Sequence, residues 1–62
     1  MELEASESVT LALYWRAKEL KKESVLLRLK QKVLKIKEER GWSWEETEEI
    51  ARRCYEKMTE VK

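Results

Sequence analysis

The sequence predicts an all-α protein that folds as a small antiparallel up-down-up three-helix bundle. Pro is absent and Gly occurs once, while Glu, Lys, Arg, Leu and Ala, which lose little conformational freedom in a helix, make up more than half of the 62 residues. A turn signal at residues 40–43 and a change of apolar phase near residue 23 divide the chain into three segments. We therefore expect one domain with helices over about 3–22, 24–40 and 44–61.

The first helix, over residues 3–22, is expected to bury one side marked by apolar residues at helical spacing. Six residues share that side at ~100° per residue: Ala5, Val9, Ala12, Leu13, Ala17 and Leu20. We expect this side to pack against the rest of the bundle.

The second helix is expected to begin after a break near residues 22–24, with Ser24 as its N-cap. Its core side is marked by Val25, Leu26, Leu29, Val33 and Ile36. In one straight helix, the apolar sides of the first two segments would point about 170° apart at ~100° per residue. A break between the segments removes this conflict.

A repeat of leucines supports a competing interpretation, one long helix in a coiled coil. Four leucines recur at intervals of seven residues, as at the d positions of a leucine zipper: Leu13, Leu20, Leu27 and Leu34. The a positions of that zipper would be small or polar: Thr10, Ala17, Ser24 and Gln31. Zippers need apolar residues at a, so the three-helix bundle is favoured.

The third helix, over residues 44–61, has the clearest start signal. Gly41 suits the left-handed conformation that follows a helix end, and Ser43 with Glu46 forms a capping box. Its core side is marked by Thr47, Ile50, Ala51, Cys54, Met58 and Val61. We expect structural roles for Trp42, beside Thr47, and for Trp44, at the bottom of the core.

Helices one and two carry more apolar residues than a core requires, and this surplus predicts a protein-binding surface. Leu11 and Trp15 lie about 180–220° from the expected core side of helix one. Exposed apolar patches and aromatic residues are typical of contact sites. The predicted binding residues are Leu11, Tyr14, Trp15, Lys18, Leu27, Lys30, Gln31 and Leu34. Lys18 and Lys30 are expected to be rim charges that steer toward an acidic partner. A homo-oligomer that uses the same surface is the competing interpretation.

Charge is unevenly distributed, which raises a small helical nucleic-acid-binding protein as a further alternative. Residues 16–37 contain nine basic residues and two Glu, a balance of +7 in a chain whose net charge is +1. The basic residues of helix two are spread around the helix rather than aligned in a stripe. Protein binding is therefore favoured over nucleic acid.

Composition argues against catalysis, cofactors and membrane insertion. The chain has no His, no Asp and one Cys, so Ser-His-Asp chemistry and the usual zinc spacings are excluded, and we expect no enzyme, metal or cofactor. The acidic N-terminus and the lack of a long apolar stretch predict a soluble protein without a signal peptide or transmembrane segment. The lone Cys54 is typical of a cytoplasmic or recombinant product.

The whole chain resembles computationally designed three-helix miniprotein binders. The similarity lies in the short length, near-minimal loops, Glu-rich helix starts, the capping box at Ser43 and Glu46, and surplus apolar residues on two helices. The resemblance implies a de novo protein whose first two helices contact a target such as a receptor ectodomain or viral surface protein, with the third helix as a brace. The chain departs from this class in lacking Asp, Asn and Pro and in containing Cys54.

Overall fold

Three helices make up most of residues 3–59, the part of the chain that the computed structural model describes. Helix α1 spans Ala5–Leu20, α2 spans Glu23–Arg40 and α3 spans Trp44–Thr59. Within residues 3–59 there is no strand, and the predicted all-α three-helix bundle is confirmed. The predicted helix ends lie within two residues of the observed ones, except that the predicted end at residue 61, and with it Val61, lies outside the described residues.

A two-residue connection separates α1 from α2, so the single long helix of a coiled coil is not formed. Lys21 adopts the left-handed conformation, with φ of 57°. Its N–H donates to the Lys18 carbonyl at 3.3 Å, and the Lys22 N–H donates to the Ala17 carbonyl at 3.1 Å. These two bonds form a Schellman motif, which satisfies the last carbonyls of α1.

The predicted N-cap of α2 at Ser24 was wrong by two residues. Lys22 is the N-cap, in an extended conformation with φ of −88° and ψ of 90°, and its side chain makes no capping hydrogen bond. The Schellman motif turns the chain so early that Glu23 is already helical, and Ser24 lies inside the first turn. The backbone geometry of the connection therefore decides this boundary, although Ser is the better capping side chain.

The connection between α2 and α3 has the expected form. Gly41 is left-handed, with φ of 73°, and hydrogen bonds from Gly41 and Trp42 to the last turn of α2 complete a second Schellman motif. The Glu46 N–H donates to Ser43 Oγ at 3.1 Å, and the Ser43 N–H donates to Glu46 Oε1 at 3.3 Å. The predicted capping box is thus confirmed.

The two left-handed positions should respond oppositely to substitution. We expect Lys21→Gly to stabilise the protein by about 0.5–1 kcal/mol, because Gly adopts positive φ without the steric cost that Lys bears. Gly41→Ala should destabilise by about 1 kcal/mol through backbone strain alone, since no atom lies within 4 Å of a Cβ placed there. Urea unfolding followed by circular dichroism measures both changes. Equal destabilisation by the two substitutions would contradict the first expectation.

Helix α1 is the central element of the bundle, because it packs extensively against both other helices while α2 and α3 barely meet. Arg40 at the end of α2 pairs with Glu7 near the start of α1 at 2.6 Å, which matches an antiparallel α1–α2 pair. Lys18 near the end of α1 pairs with Glu48 of α3. The short connection and the Arg40–Glu7 pair therefore join α1 and α2 at opposite ends.

The core lies where α1 meets the other two helices and the second connection. Its buried apolar residues form one cluster: Leu11, Tyr14, Val33, Trp42 and Ala51. Thr47 is also buried, and its hydroxyl donates to the Ser43 carbonyl at 2.7 Å. The expected core sides of α2 and α3 are largely confirmed, since Val33, Thr47 and Ala51 are fully buried, although Val25 and Met58 are exposed. No helix within residues 3–59 combines the length and apolar character needed to cross a membrane.

Candidate protein-binding surface

The helix-one part of the predicted surface was placed on the wrong side of α1. Leu11 is 0% exposed and Tyr14 is 3% exposed, so both are core residues, and Trp15 is half-buried against the core. Val9, Leu13 and Leu20, which were expected to be core residues, are 39%, 51% and 46% exposed. The core and solvent sides of α1 are therefore interchanged relative to the prediction.

Contacts with α3 explain this interchange. Lys18, on the Leu11 side of α1, pairs with Glu48, and Ser8 of α1 lines a shallow cavity together with Ile50 and Cys54 of α3. Ser8 and Ala12 on this side have small side chains, which let α3 approach α1 closely. Ala12 and Ala17 are buried as predicted, because small residues allow close helix packing whichever large residues surround them.

Tyr14 is a core residue that lies next to the Lys18–Glu48 ion pair. The Lys18 amine is 5.9 Å from the centroid of the Tyr14 ring. Burial is the largest influence on the phenol and raises its pKa above the ordinary value of 10.0, an effect that Lys18 opposes and Glu48 reinforces. Lys18 is thus half-buried and paired within the chain rather than a free charge at the rim.

The raised pKa of Tyr14 predicts a loss of stability in alkali. The folded chain holds the phenolic proton more tightly than the unfolded chain, so this contribution is complete below pH 10.0 and is lost as the pH rises through the folded-state pKa. We expect the free energy of unfolding of the wild type to fall more steeply than that of Tyr14→Phe as the pH rises above 10.0. Urea unfolding across that range checks this, and parallel curves for the two proteins would contradict it.

The helix-two part of the predicted surface is exposed. Leu27 is 64% exposed and Leu34 is 38% exposed, and Gln31 between them is also exposed. The Lys30 amine lies 5.6 Å from the centroid of the Trp44 ring, so this predicted rim charge contacts the first residue of α3. The continuous surface predicted across helices one and two is therefore not formed, because only its helix-two half faces solvent.

The seven-residue leucine repeat marks the exposed apolar residues of α1 and α2. The break at residues 21–22 divides it into a helix-one pair, Leu13 and Leu20, and a helix-two pair, Leu27 and Leu34. All four leucines are at least 38% exposed. The seven-residue spacing thus marks exposed apolar residues rather than the seam of a zipper. On separate helices, each pair forms a short apolar stripe of two turns, about 10 Å long.

The two leucine pairs lie on different sides of the α1–α2 pair. Leu13 and Leu20 lie about 160–180° around α1 from Leu11, the side that α3 covers, at ~100° per residue. Leu27 and Leu34 lie on the same side of α2 as Lys30, which reaches Trp44 of α3. The helix-one pair therefore faces away from α3, and the helix-two pair lies next to the start of α3.

Val25 lies on the side of α2 that faces away from α3. It is 46% exposed and lies about 80° around α2 from Val33, in the sense opposite to Lys30. A shallow groove beside it is lined by Ser24, Val25, Arg28, Leu29 and Lys32. We define the open face as Leu13, Leu20 and Val25 together with the basic residues Arg28 and Lys32 at its border.

The thiol of Cys54, the one cysteine in the sequence, is not activated as a nucleophile. Burial raises the pKa of the Cys54 thiol, an effect only partly opposed by a hydrogen bond with Ser8 and by the charge of Lys57. The thiol is thus protonated at neutral pH, the form that is a poor nucleophile. Residues 3–59 contain no group of three or more side chains able to hold a metal ion together.

Comparison with known proteins identifies no relative of this chain. No family model matches it, and no curated protein or solved structure is significantly similar to it.

Proposed function

We propose that this chain is a protein-binding module that contacts a target protein through exposed apolar residues of α1 and α2. One observation carries the proposal. Of the seven large apolar residues that are exposed within residues 3–59, six lie on these two helices: Val9, Leu13, Leu20, Val25, Leu27 and Leu34. Exposed apolar residues at helical spacing are the usual means by which a helix recognises a partner.

The distribution of large residues supports this function over a purely structural role. The fold already has a closed core around Leu11, Val33 and Ala51, each fully buried, so the exposed leucines add nothing to it. Apart from Met58, the solvent side of α3 carries charged pairs such as Arg52 with Glu56, at 3.0 Å, and Arg53 with Glu49, at 3.0 Å. Helix α3 therefore serves as a brace, and α1 and α2 supply the binding residues. Target classes such as a receptor ectodomain or viral surface protein follow from the resemblance to designed binders.

The proposal is tested by two charge-introducing double variants and a matched control. Leu13→Asp with Leu20→Asp removes the helix-one pair, Leu27→Asp with Leu34→Asp removes the helix-two pair, and Lys35→Gln changes an exposed residue outside both. Proteins captured by the immobilised wild type are purified and titrated against all four chains. We expect at least one of them to bind the wild type and to lose about tenfold or more in affinity for one double variant, but not for Lys35→Gln.

Sedimentation equilibrium over a hundredfold dilution separates this function from self-association. We expect the wild type and both double variants to be monomers at every concentration, because the exposed apolar residues of the module bind a different protein. A wild-type dimer that either double variant dissociates would contradict the proposal, because the exposed leucines would then already contact a second copy.

A further inference from the structure

Building on the proposed function, we infer that the open face binds an amphipathic helix whose apolar stripe is bordered by acidic residues. Leu13 and Leu20 are the exposed apolar residues of the site on α1, and Val25, which follows Leu20 across the two-residue connection, is its exposed apolar residue on α2.

The shape of the site favours a helix as the bound element. An antiparallel helix pair presents a groove along its length, and a third helix packed in it buries residues spaced at three, four and seven positions. Leu13 and Leu20 are seven residues apart on α1, and a separate shallow groove, lined by residues of α2 such as Val25 and Leu29, lies on the second helix. Helix α3 packs mainly against α1, on its Leu11 side, so a helix in the open face would be a fourth helix on a different side of α1.

The charges of the site favour an acidic partner. Arg28 and Lys32 line the groove beside Val25, Lys21 and Lys22 are exposed in the connection after Leu20, and residues 16–37 carry a balance of +7. Acidic residues flanking the apolar stripe of a partner would meet these cations, which raises the association rate and fixes orientation.

The same charges disfavour a second copy of this chain as the occupant. A two-fold symmetric contact is isologous, so each surface meets an identical one. The charged residues of the open face, Arg28 and Lys32, are both basic, so a second copy would bring further basic residues to the contact and no acidic ones. Like charges facing each other oppose that contact, whereas an acidic helix has no such conflict.

A pair of synthetic peptides tests the inference with the full chain. Both are three-heptad helices with leucine at every a and d position; one has glutamate and the other lysine at every e and g position. We expect the glutamate peptide to bind at least about tenfold more tightly than the lysine peptide in fluorescence anisotropy titrations, with an affinity that falls as salt is added. Equal binding of the two peptides, or no binding of the glutamate peptide, would overturn the inference.

Matched leucine variants locate the site. Leu13→Asp should weaken binding of the glutamate peptide by about tenfold or more, while Leu27→Asp, at an even more exposed leucine, should leave it unchanged. Circular dichroism verifies that both variants remain folded. A loss with Leu27→Asp alone would overturn the open face as the site and leave the proposed function standing. The proposed function has its own test: it would be contradicted if neither double leucine variant lowered the affinity for any captured protein.

Discussion

Leu11→Ala is expected to destabilise the fold by about 2–5 kcal/mol, because it removes a fully buried side chain at the centre of the core and leaves a cavity. A domain of this length has a total stability of only ~3–9 kcal/mol. The substitution should therefore leave a substantial fraction of the protein unfolded at room temperature. Urea unfolding monitored by circular dichroism measures the change in unfolding free energy directly.

Leu13→Ala is the matched control, since it makes the same chemical change two residues away on the same helix. Leu13 is 51% exposed, so its truncation should change the unfolding free energy by no more than about 0.5 kcal/mol. The pair distinguishes the two possible orientations of α1. If Leu13→Ala were the damaging substitution and Leu11→Ala the neutral one, the side of α1 that faces the core would be the one marked by Val9, Leu13 and Leu20.

Trp42→Ala is expected to have an effect of similar size, about 3–5 kcal/mol, because the indole is a large buried member of the core cluster. Trp42 is 9% exposed and belongs to the same cluster as Leu11 and Val33. The residue lies outside the helices, so the loss would come from tertiary packing rather than from helix propensity. The midpoint of urea unfolding should fall without a comparable change in its slope.

Trp44, two residues after Trp42, is the matched comparison for the Trp42→Ala substitution. Its ring is half-buried, with the amines of Lys37 and Lys30 at 5.2 and 5.6 Å from the ring centroid. Trp44→Ala removes part of an indole contact and two cation–π interactions, and should destabilise by about 1–2 kcal/mol. An effect of Trp44→Ala as large as that of Trp42→Ala would show that both tryptophans are core residues.

The capping signals were predictable because they involve residues close together in the chain. Gly41 is left-handed because residues with a Cβ bear a steric cost there, and Ser43 and Glu46 are three positions apart, the spacing at which their side chains and backbone N–H groups meet. The α2–α3 boundary could therefore be placed at the correct residue. The α1–α2 boundary has no Gly, and Lys21 adopts the left-handed conformation instead. The N-cap of α2 is therefore Lys22 and not the predicted Ser24.

The core side of α2 was also predictable, because its polar and apolar residues segregate. Val33 is fully buried, Leu26, Leu29 and Ile36 pack against the core, and the charged residues occupy most of the remaining circumference. With one broad apolar side, only one orientation buries most of the apolar surface. Val25, at the edge of that side, was the one residue wrongly included.

The number of helices, their ends within residues 3–59 to within two positions, and the core sides of α2 and α3 could all be predicted, since each depends on local spacing and capping. The buried side of α1 could not, because it depends on contacts between helices. Large apolar residues are found all around α1: Leu11, Leu13, Tyr14 and Trp15. Either orientation of the helix would therefore bury one apolar stripe and expose another. Packing against α3 buries Leu11 and Tyr14 and pairs Lys18 with Glu48, and this contact, between residues thirty positions apart, leaves Leu13 and Leu20 facing solvent.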